Sequence, residues 1–356
     1  MQFVERCVII KKIKKDRAAT RSKWGVFVQT LISNNIIQNL NLYVNTDDSK
    51  NKHEMCSNIK SRFDKIREKK SLSVAISRKL MLIGEEKRGF LMKACNSDIE
   101  VYTCKCCGKV KILNAHLCRD RLCPTCQYLL SVKRYNQMIK TIAAIDNIEN
   151  YDWRFITLTI RNCAPQYLCE TLKEMLSAWD KVCKRRTIKR RLSGWGRSLE
   201  ITYNKSTGTF HPHIHFLAAF TKDSAPSLQE VSSWWQDALQ LDYLPVCDIE
   251  IPYSEKNDGV SSAIVEAFKY CTKSKEVAEM PLSSFAELVR AVKGVRMLAF
   301  GGIVRKARQN IGIIESDVAE QEVIDTDICC GNKMELSVAK WSFDSETYNY
   351  IERYVR

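Results

Sequence analysis

A chain of 356 residues with 56 Lys+Arg against 41 Asp+Glu has a formal net charge of +15, which favours a polyanionic partner, nucleic acid ahead of an acidic membrane surface. Its length exceeds that of a usual single domain. No apolar run reaches the roughly 18 residues of a membrane span, and the opening MQFVERCVIIKKIKKDRAATRSKW has an apolar stretch too short for a signal-peptide core. No membrane is therefore expected, and the expected location is cytoplasmic and reducing. There, sixteen cysteines point to metal ligation ahead of disulfides.

In chain order, residues 1–98 are polar and basic, with KKIKK and KIREKK, and their short apolar stretches have helical spacing. A mainly helical N-terminal region is expected, with DNA binding as an open role. Residues 99–135 form a cysteine-rich module. Cys104, Cys106, Cys107, Cys118, Cys123 and Cys126 fall within 23 residues. Cys104-x-x-Cys107 and Cys123-x-x-Cys126 are two knuckles that together can close around one structural zinc; reduced, unligated thiols are the alternative. Cys118 and His116 lie between the knuckles, so which four of Cys104, Cys107, Cys118, Cys123 and Cys126 would bind stays open.

Residues 150–310 alternate strands and helices. FITLTI and LEITYN read as strands from their β-branched, period-2 character. Between them, LCETLKEMLSAWDKVCKRRTIKRRL reads as one amphipathic helix with a basic end. Its Lys181, Lys184, Arg185, Arg186, Lys189, Arg190 and Arg191 are candidate phosphate contacts, with a merely solvated surface as the alternative. Trp234, Trp235 and Tyr243 could stack on unpaired bases, although an aromatic pair on a helix more often belongs to a core. After residue 310, IESDVAEQEVIDTD marks 311–356 as an acidic tail expected to be exposed.

HPHIHFLAAF, from His211 to Phe220, places three histidines at alternate positions. On a strand they share one face while Ile214 and Phe216 point to the other. Two imidazoles separated by one residue can chelate a divalent cation. LEITYN supplies the partner strand through a turn at Asn204–Gly208, which puts Glu200 beside the histidines. Such a His/His/carboxylate set, drawn from His213, His215, Glu200 and His211, suits Mn²⁺ or Mg²⁺; a polar sheet surface is the alternative. Pro212 fits a strand edge or start, making His211 the weakest of the four. Downstream, SSAIVEAFKYCTKSKE reads as a helix with Glu266, Tyr270 and Lys273 on one face. By itself that trio is an ordinary solvated face.

Taken in order, FITLTIRN, LEITYN, HPHIHFL and EAFKYCTK, with RLCPTCQ ahead of them, resemble the replication initiators of small rolling-circle plasmids. Those are HUH endonucleases of the single-tyrosine branch with a glutamate before the tyrosine, and FGGIVRKAR near residue 300 is similar to a segment near the family's end. The resemblance covers residues 100–310. It implies an α+β fold: an HUH endonuclease domain with a central antiparallel β-sheet flanked by helices, preceded by the zinc-binding module and the helical N-terminal region. His213 and His215 match the metal-ligand histidines, Tyr270 the nicking tyrosine and Glu266 the glutamate that replaces a second tyrosine. Lys273 would support the phenolate or hold a phosphate.

The implied activity is nicking of one origin strand through a 5′-phosphotyrosine intermediate, leaving a 3′-OH primer, followed by termination and rejoining. Implied partners are the plasmid double-strand origin, presented single-stranded or as a hairpin, and a host helicase, polymerase and single-strand-binding protein; a homodimer is compatible. No GxxxxGK[ST] loop is present, which argues against a built-in helicase. Two competing readings are an HUH-type transposase acting on insertion-element ends and a zinc-containing DNA-binding repressor without catalysis.

Overall fold

A computed structural model describes residues 52–106, 110–252, 272–313, 328–329 and 331–352. The described residues open with two helices, α1 (Lys52–Leu82) and α2 (Glu86–Ala94), followed by strands β1 (Asp98–Thr103) and β2 (Val110–Ala115). Helix α3 (Pro124–Ala143), strand β3 (Tyr151–Thr159), helix α4 (Leu168–Lys184) and the single turn α5 (Arg186–Lys189) come next. The long hairpin of β4 (Leu192–Asn204) and β5 (Thr209–Thr221) leads to helix α6 (Leu228–Leu239) and strand β6 (Cys247–Glu250). Beyond the next described residue, Thr272, lie α7 (Ser274–Glu279), α8 (Leu282–Val292), β7 (Leu298–Gly301) and α9 (Gly302–Asn310). Two-residue strands β8 (Ile328–Cys329) and β9 (Asn332–Lys333) precede β10 (Glu335–Ser342) and β11 (Thr347–Glu352). The architecture is α+β, and no helix among the described residues is long and apolar enough to cross a membrane.

The main sheet is antiparallel throughout, in the order β6-β3-β5-β4-β7. Alternation decides its two faces. Leu199, Ile201, Ile214 and Phe216 all lie in one buried core with Leu168, Leu172, Met175, Ala178 and Trp179 of α4. That spacing on α4 is the apolar stripe of an amphipathic helix. On the other face, Trp153, Phe155, Leu217 and Ala219 pack with Met138, Ile139 and Ile142 of α3 and with Val304 and Ala307 of α9. The β4–β5 turn forms where expected. Asn204 Oδ1 accepts from the backbone N–H of Ser206 at 2.9 Å and of Thr207 at 3.2 Å, and Gly208 takes the left-handed φ of +67° that a glycine tolerates without strain.

Two expected elements differ. The basic helix breaks at Arg185 (φ −59°, ψ 129°), and β4 begins at Leu192. Ile188 lies six residues after Val182, so a continuous helix would carry it off the apolar stripe; the break re-aims Ile188 into the core, where it is buried. The C-terminal segment also differs from a free acidic tail. Its acidic stretch, residues 314–327, lies outside the described residues, but β10 pairs antiparallel with β1 and β11 with β10 in a sheet ordered β11-β10-β1-β2. Ala339, Trp341 and Tyr348 join Ile99 and Val101 in a separate small core, so burial of apolar area anchors this end of the chain.

Candidate functional site

Strand β5 is the middle strand, and its register across β4 pairs Glu200 with His213 and Ser198 with His215, while β3 pairs Thr159 with His213 and Thr157 with His215. The β3 ladder stops at His213, one residue short of Pro212. The missing N–H of the proline therefore costs no bond on that side. Glu200, His213 and His215 project from the face opposite the α4 core, just beyond its apolar half. His213 Nε2 lies 2.9 Å and His215 Nε2 3.0 Å from the same oxygen, Glu200 Oε2. Glu200 and His215 are buried, and His213 keeps 12 % exposure. The three form a group able to hold a metal ion.

The donor chemistry fits a divalent cation. His213 Nδ1 lies 3.3 Å from the His211 carbonyl oxygen, which only accepts, so that nitrogen carries the ring proton. The Nε2 of a neutral ring is then a lone pair aimed at a carboxylate oxygen. A cation between them would satisfy the Nε2 lone pairs and the carboxylate oxygen at once, in a pair of rings whose centroids are 4.6 Å apart. His211 is placed differently. Its Nδ1 bonds Asn162 Oδ1 at 2.9 Å, and burial, then the neighbouring His213, holds it below the usual histidine range.

Tyr270 and Glu266 lie outside the described residues. Lys273 does not continue a helix. Thr272 makes a parallel bridge to Ile201, Lys273 is extended (φ −81°, ψ 109°), and its ammonium pairs with Glu276 at 3.5 Å. Pairing with the sheet overrides helical propensity at this point. The expected common helical face with Glu266 and Tyr270 does not extend to Lys273, but the bridge brings Thr272 beside Glu200's own strand.

The second group is Cys95, Cys118, Cys123 and Cys126. Sulfur–sulfur distances are 3.6 Å for Cys95–Cys126 and 3.7 Å for both Cys118–Cys126 and Cys123–Cys95. A tetrahedron of thiolates about 2.3 Å from a zinc has edges of about 3.8 Å, so the spacing fits. Cys104 stays outside this group. Strand β1 carries it roughly 20 Å along from Asp98 at the usual rise, whereas the cluster sits at the Asp98 end. Cys107 lies outside the described residues. Cys95, which pattern spacing missed, ends α2. Asn96, in the left-handed region (φ +56°), donates its N–H to His116 O at 2.7 Å, and Cys118 N donates to Cys95 Sγ at 3.4 Å. Those bonds join residues 20 and 23 positions apart, a juxtaposition no local motif announces. The one available signal was a lone cysteine at a helix end just ahead of the knuckle.

Burial pushes the Cys123 thiol up, but hydrogen bonds from Cys118, Cys126, Cys95 and Ser73 outweigh it and leave Cys123 well below the ordinary thiol range. Binding of a dication would displace the remaining thiol protons from the cluster. The Lys70 ammonium, fully buried on α1, donates to the carbonyls of Lys93 and Cys95 at 2.6 Å each and to Ser97 Oγ at 2.9 Å. Burial lowers it to about 8, against the pull of Cys95, Cys123 and Cys118. A positive charge here offsets thiolate charge and ties α1 to the cluster.

The basic cluster faces away from the histidines. Lys184, Arg186, Lys189 and Arg190 are exposed, whereas Arg191 holds Glu230 at 2.6 Å and Ser224 O at 2.7 Å, Arg185 pairs with Asp237 at 3.3 Å and Lys181 reaches Ala238 O at 3.5 Å. Thr221 N–H donates to Arg191 O, which fixes the cluster at the far end of β5, eight residues or roughly 27 Å of strand from His213. Of the aromatic candidates, Trp235 is core. The Arg191 guanidinium lies 5.4 Å from the Trp234 ring, and that of Arg161 lies 3.8 Å from the Tyr243 ring.

Fold and site together define an antiparallel-sheet α+β protein with a His/His/Glu group shared by the adjacent strands β5 and β4 and a separate four-cysteine cluster. The family model for a replication protein, Rep_1, matches residues 109–350. The chain belongs to this family of replication proteins. It is 29 % identical over 255 residues to Protein rep of Lentilactobacillus hilgardii, covering 68 % of this chain and 81 % of that one. Over 302 residues it is 28 % identical to Protein rep of Lactiplantibacillus plantarum, covering 79 % and 94 %. No solved structure matches. The match begins downstream of Cys95 and Lys70.

Proposed function

We propose that this chain initiates plasmid rolling-circle replication by nicking one strand of the origin, and that it is an HUH endonuclease of the single-tyrosine type. The observation that carries the reading is the convergence of His213, His215 and Glu200 on one point beside the Ile201–Thr272 bridge, two residues after Tyr270 in the chain. Mn²⁺ or Mg²⁺ held by the triad supplies Lewis-acid polarisation of a phosphate.

Glu200, His213 and His215 would hold that ion where the scissile phosphate of a single-stranded or hairpin segment binds. The Tyr270 hydroxyl oxygen attacks phosphorus, the bond from phosphorus to the 3′ oxygen breaks, and that oxygen takes a proton. The products are a 5′-phosphotyrosine link and a 3′-OH that can prime a polymerase. Because the link conserves the bond, rejoining needs no nucleotide hydrolysis. Glu266 then serves as general base for water in a second cleavage that ends the round. Lys273 is assigned to a DNA phosphate, exchanging its pairing with Glu276 for that contact.

The cysteine cluster, with four protein ligands and no open position, is assigned a structural zinc. The test is nicking of a labelled single-stranded origin oligonucleotide with Mn²⁺. Replacing His213 and His215 together with alanine should abolish metal-dependent nicking while the fold and zinc content persist. Unchanged nicking would overturn the site.

A further inference from the structure

His215 is held from β3 by two alternate residues. Phe155 stacks on its ring, with centroids 5.5 Å apart and planes 12° from parallel, which fixes the ring plane. Thr157, directly opposite His215 in the register, places Oγ1 3.0 Å from His215 Nδ1. A ring flip would keep the plane but would put carbon atoms where both nitrogens now sit. The stack therefore cannot choose between the two orientations, and the hydroxyl can. His213 takes the equivalent bond from the backbone carbonyl of His211, which no side-chain change removes.

We propose that Thr157 is a positioning residue of the site. Its hydroxyl accepts the Nδ1–H of His215, fixing that tautomer and directing the Nε2 lone pair to the point shared with Glu200 Oε2 and His213 Nε2. This rests on reading the triad as a divalent-metal site. A metal-binding histidine usually donates its other ring N–H to such an acceptor, and loss of the acceptor typically weakens binding about 10–100-fold. Thr157 also suits the strand by its β-branch, so a purely structural role needs separating from this one.

Valine keeps the shape and branching of threonine and removes only the hydroxyl, while serine keeps the hydroxyl and removes the methyl. Two readouts apply to the wild type, Thr157→Val and Thr157→Ser: Mn²⁺ affinity by electron paramagnetic resonance, and the imidazole ¹⁵N signals of His215 in metal-free protein. The valine variant should bind Mn²⁺ at least tenfold more weakly and show His215 as a mixture of tautomers, with a thermal midpoint close to wild type. The serine variant should restore both affinity and signals. Wild-type affinity and a single unchanged tautomer in the valine variant would overturn the proposal, as would a serine variant as weak as the valine one. Absence of Mn²⁺ binding in the wild type, or binding unaltered by Glu200→Gln, would overturn the metal reading and the proposal with it.

Discussion

At the scale of residues, the site depends on three side chains that the strand period alone brings to one face. Leu199, Ile201, Ile214 and Phe216 had to enter the core, and Glu200, His213 and His215 therefore had to share the opposite side. That much was legible, because hydrophobic alternation and an Asn–Gly turn fix register together. Glu200→Gln removes the charge while keeping the shape, and should weaken Mn²⁺ binding at least tenfold in a calorimetric titration. His211→Ala should leave Mn²⁺ affinity within about twofold, because His211 is committed to Asn162; a loss as large as that of Glu200→Gln would make His211 a ligand. The separation of His211 from the other two could not be read from sequence. It depends on where β3 ends and on Asn162 beyond it.

At the scale of elements, sequence spacing singled out Cys118, Cys123 and Cys126, which the structure groups together, but missed Cys95 beside them. Cys123 and Cys126 stand at a helix N-terminus, where the dipole favours thiolates. Cys104-x-x-Cys107 imitates a second knuckle in sequence, but Cys104 is at the wrong end of β1. Its place is taken by Cys95 and Cys118, joined through the Asn96–His116 backbone bond, a tertiary contact without local pattern. Cys95→Ser should lower bound zinc, measured by plasma mass spectrometry on purified protein, from about one equivalent to well below one. Cys104→Ser should leave it unchanged, and the opposite result would restore the sequence-based pairing. A helical pattern through Lys273 was overridden by a strand-like bridge to Ile201.

At the scale of the whole molecule, the charges and the triad are separated. The exposed residues Lys184, Arg186, Lys189 and Arg190 lie on the α4 side of the sheet and at the opposite end of β5 from His213. DNA held there would be gripped roughly 27 Å along the strand from the triad, by the strand rise. Neutralising those four residues should weaken duplex binding and lower the salt slope by about 0.9 per lost phosphate contact, measured by binding titrations across salt concentrations, without changing Mn²⁺ affinity. An unaltered slope would mean that the cluster is only a solvated surface. The net charge of +15 pointed to a polyanion, but not to which face meets it, since that depends on how α4 packs. The most direct test of the central claim, covalent nicking at this site, is to react the protein with Mn²⁺ and a labelled single-stranded origin oligonucleotide and map the adduct by mass spectrometry. A phosphodiester-linked adduct on Tyr270 is expected, absent from Tyr270→Phe and from Glu200→Gln, with DNA binding retained. An adduct that persists in Tyr270→Phe, or nicking that yields no adduct at all, would contradict that claim.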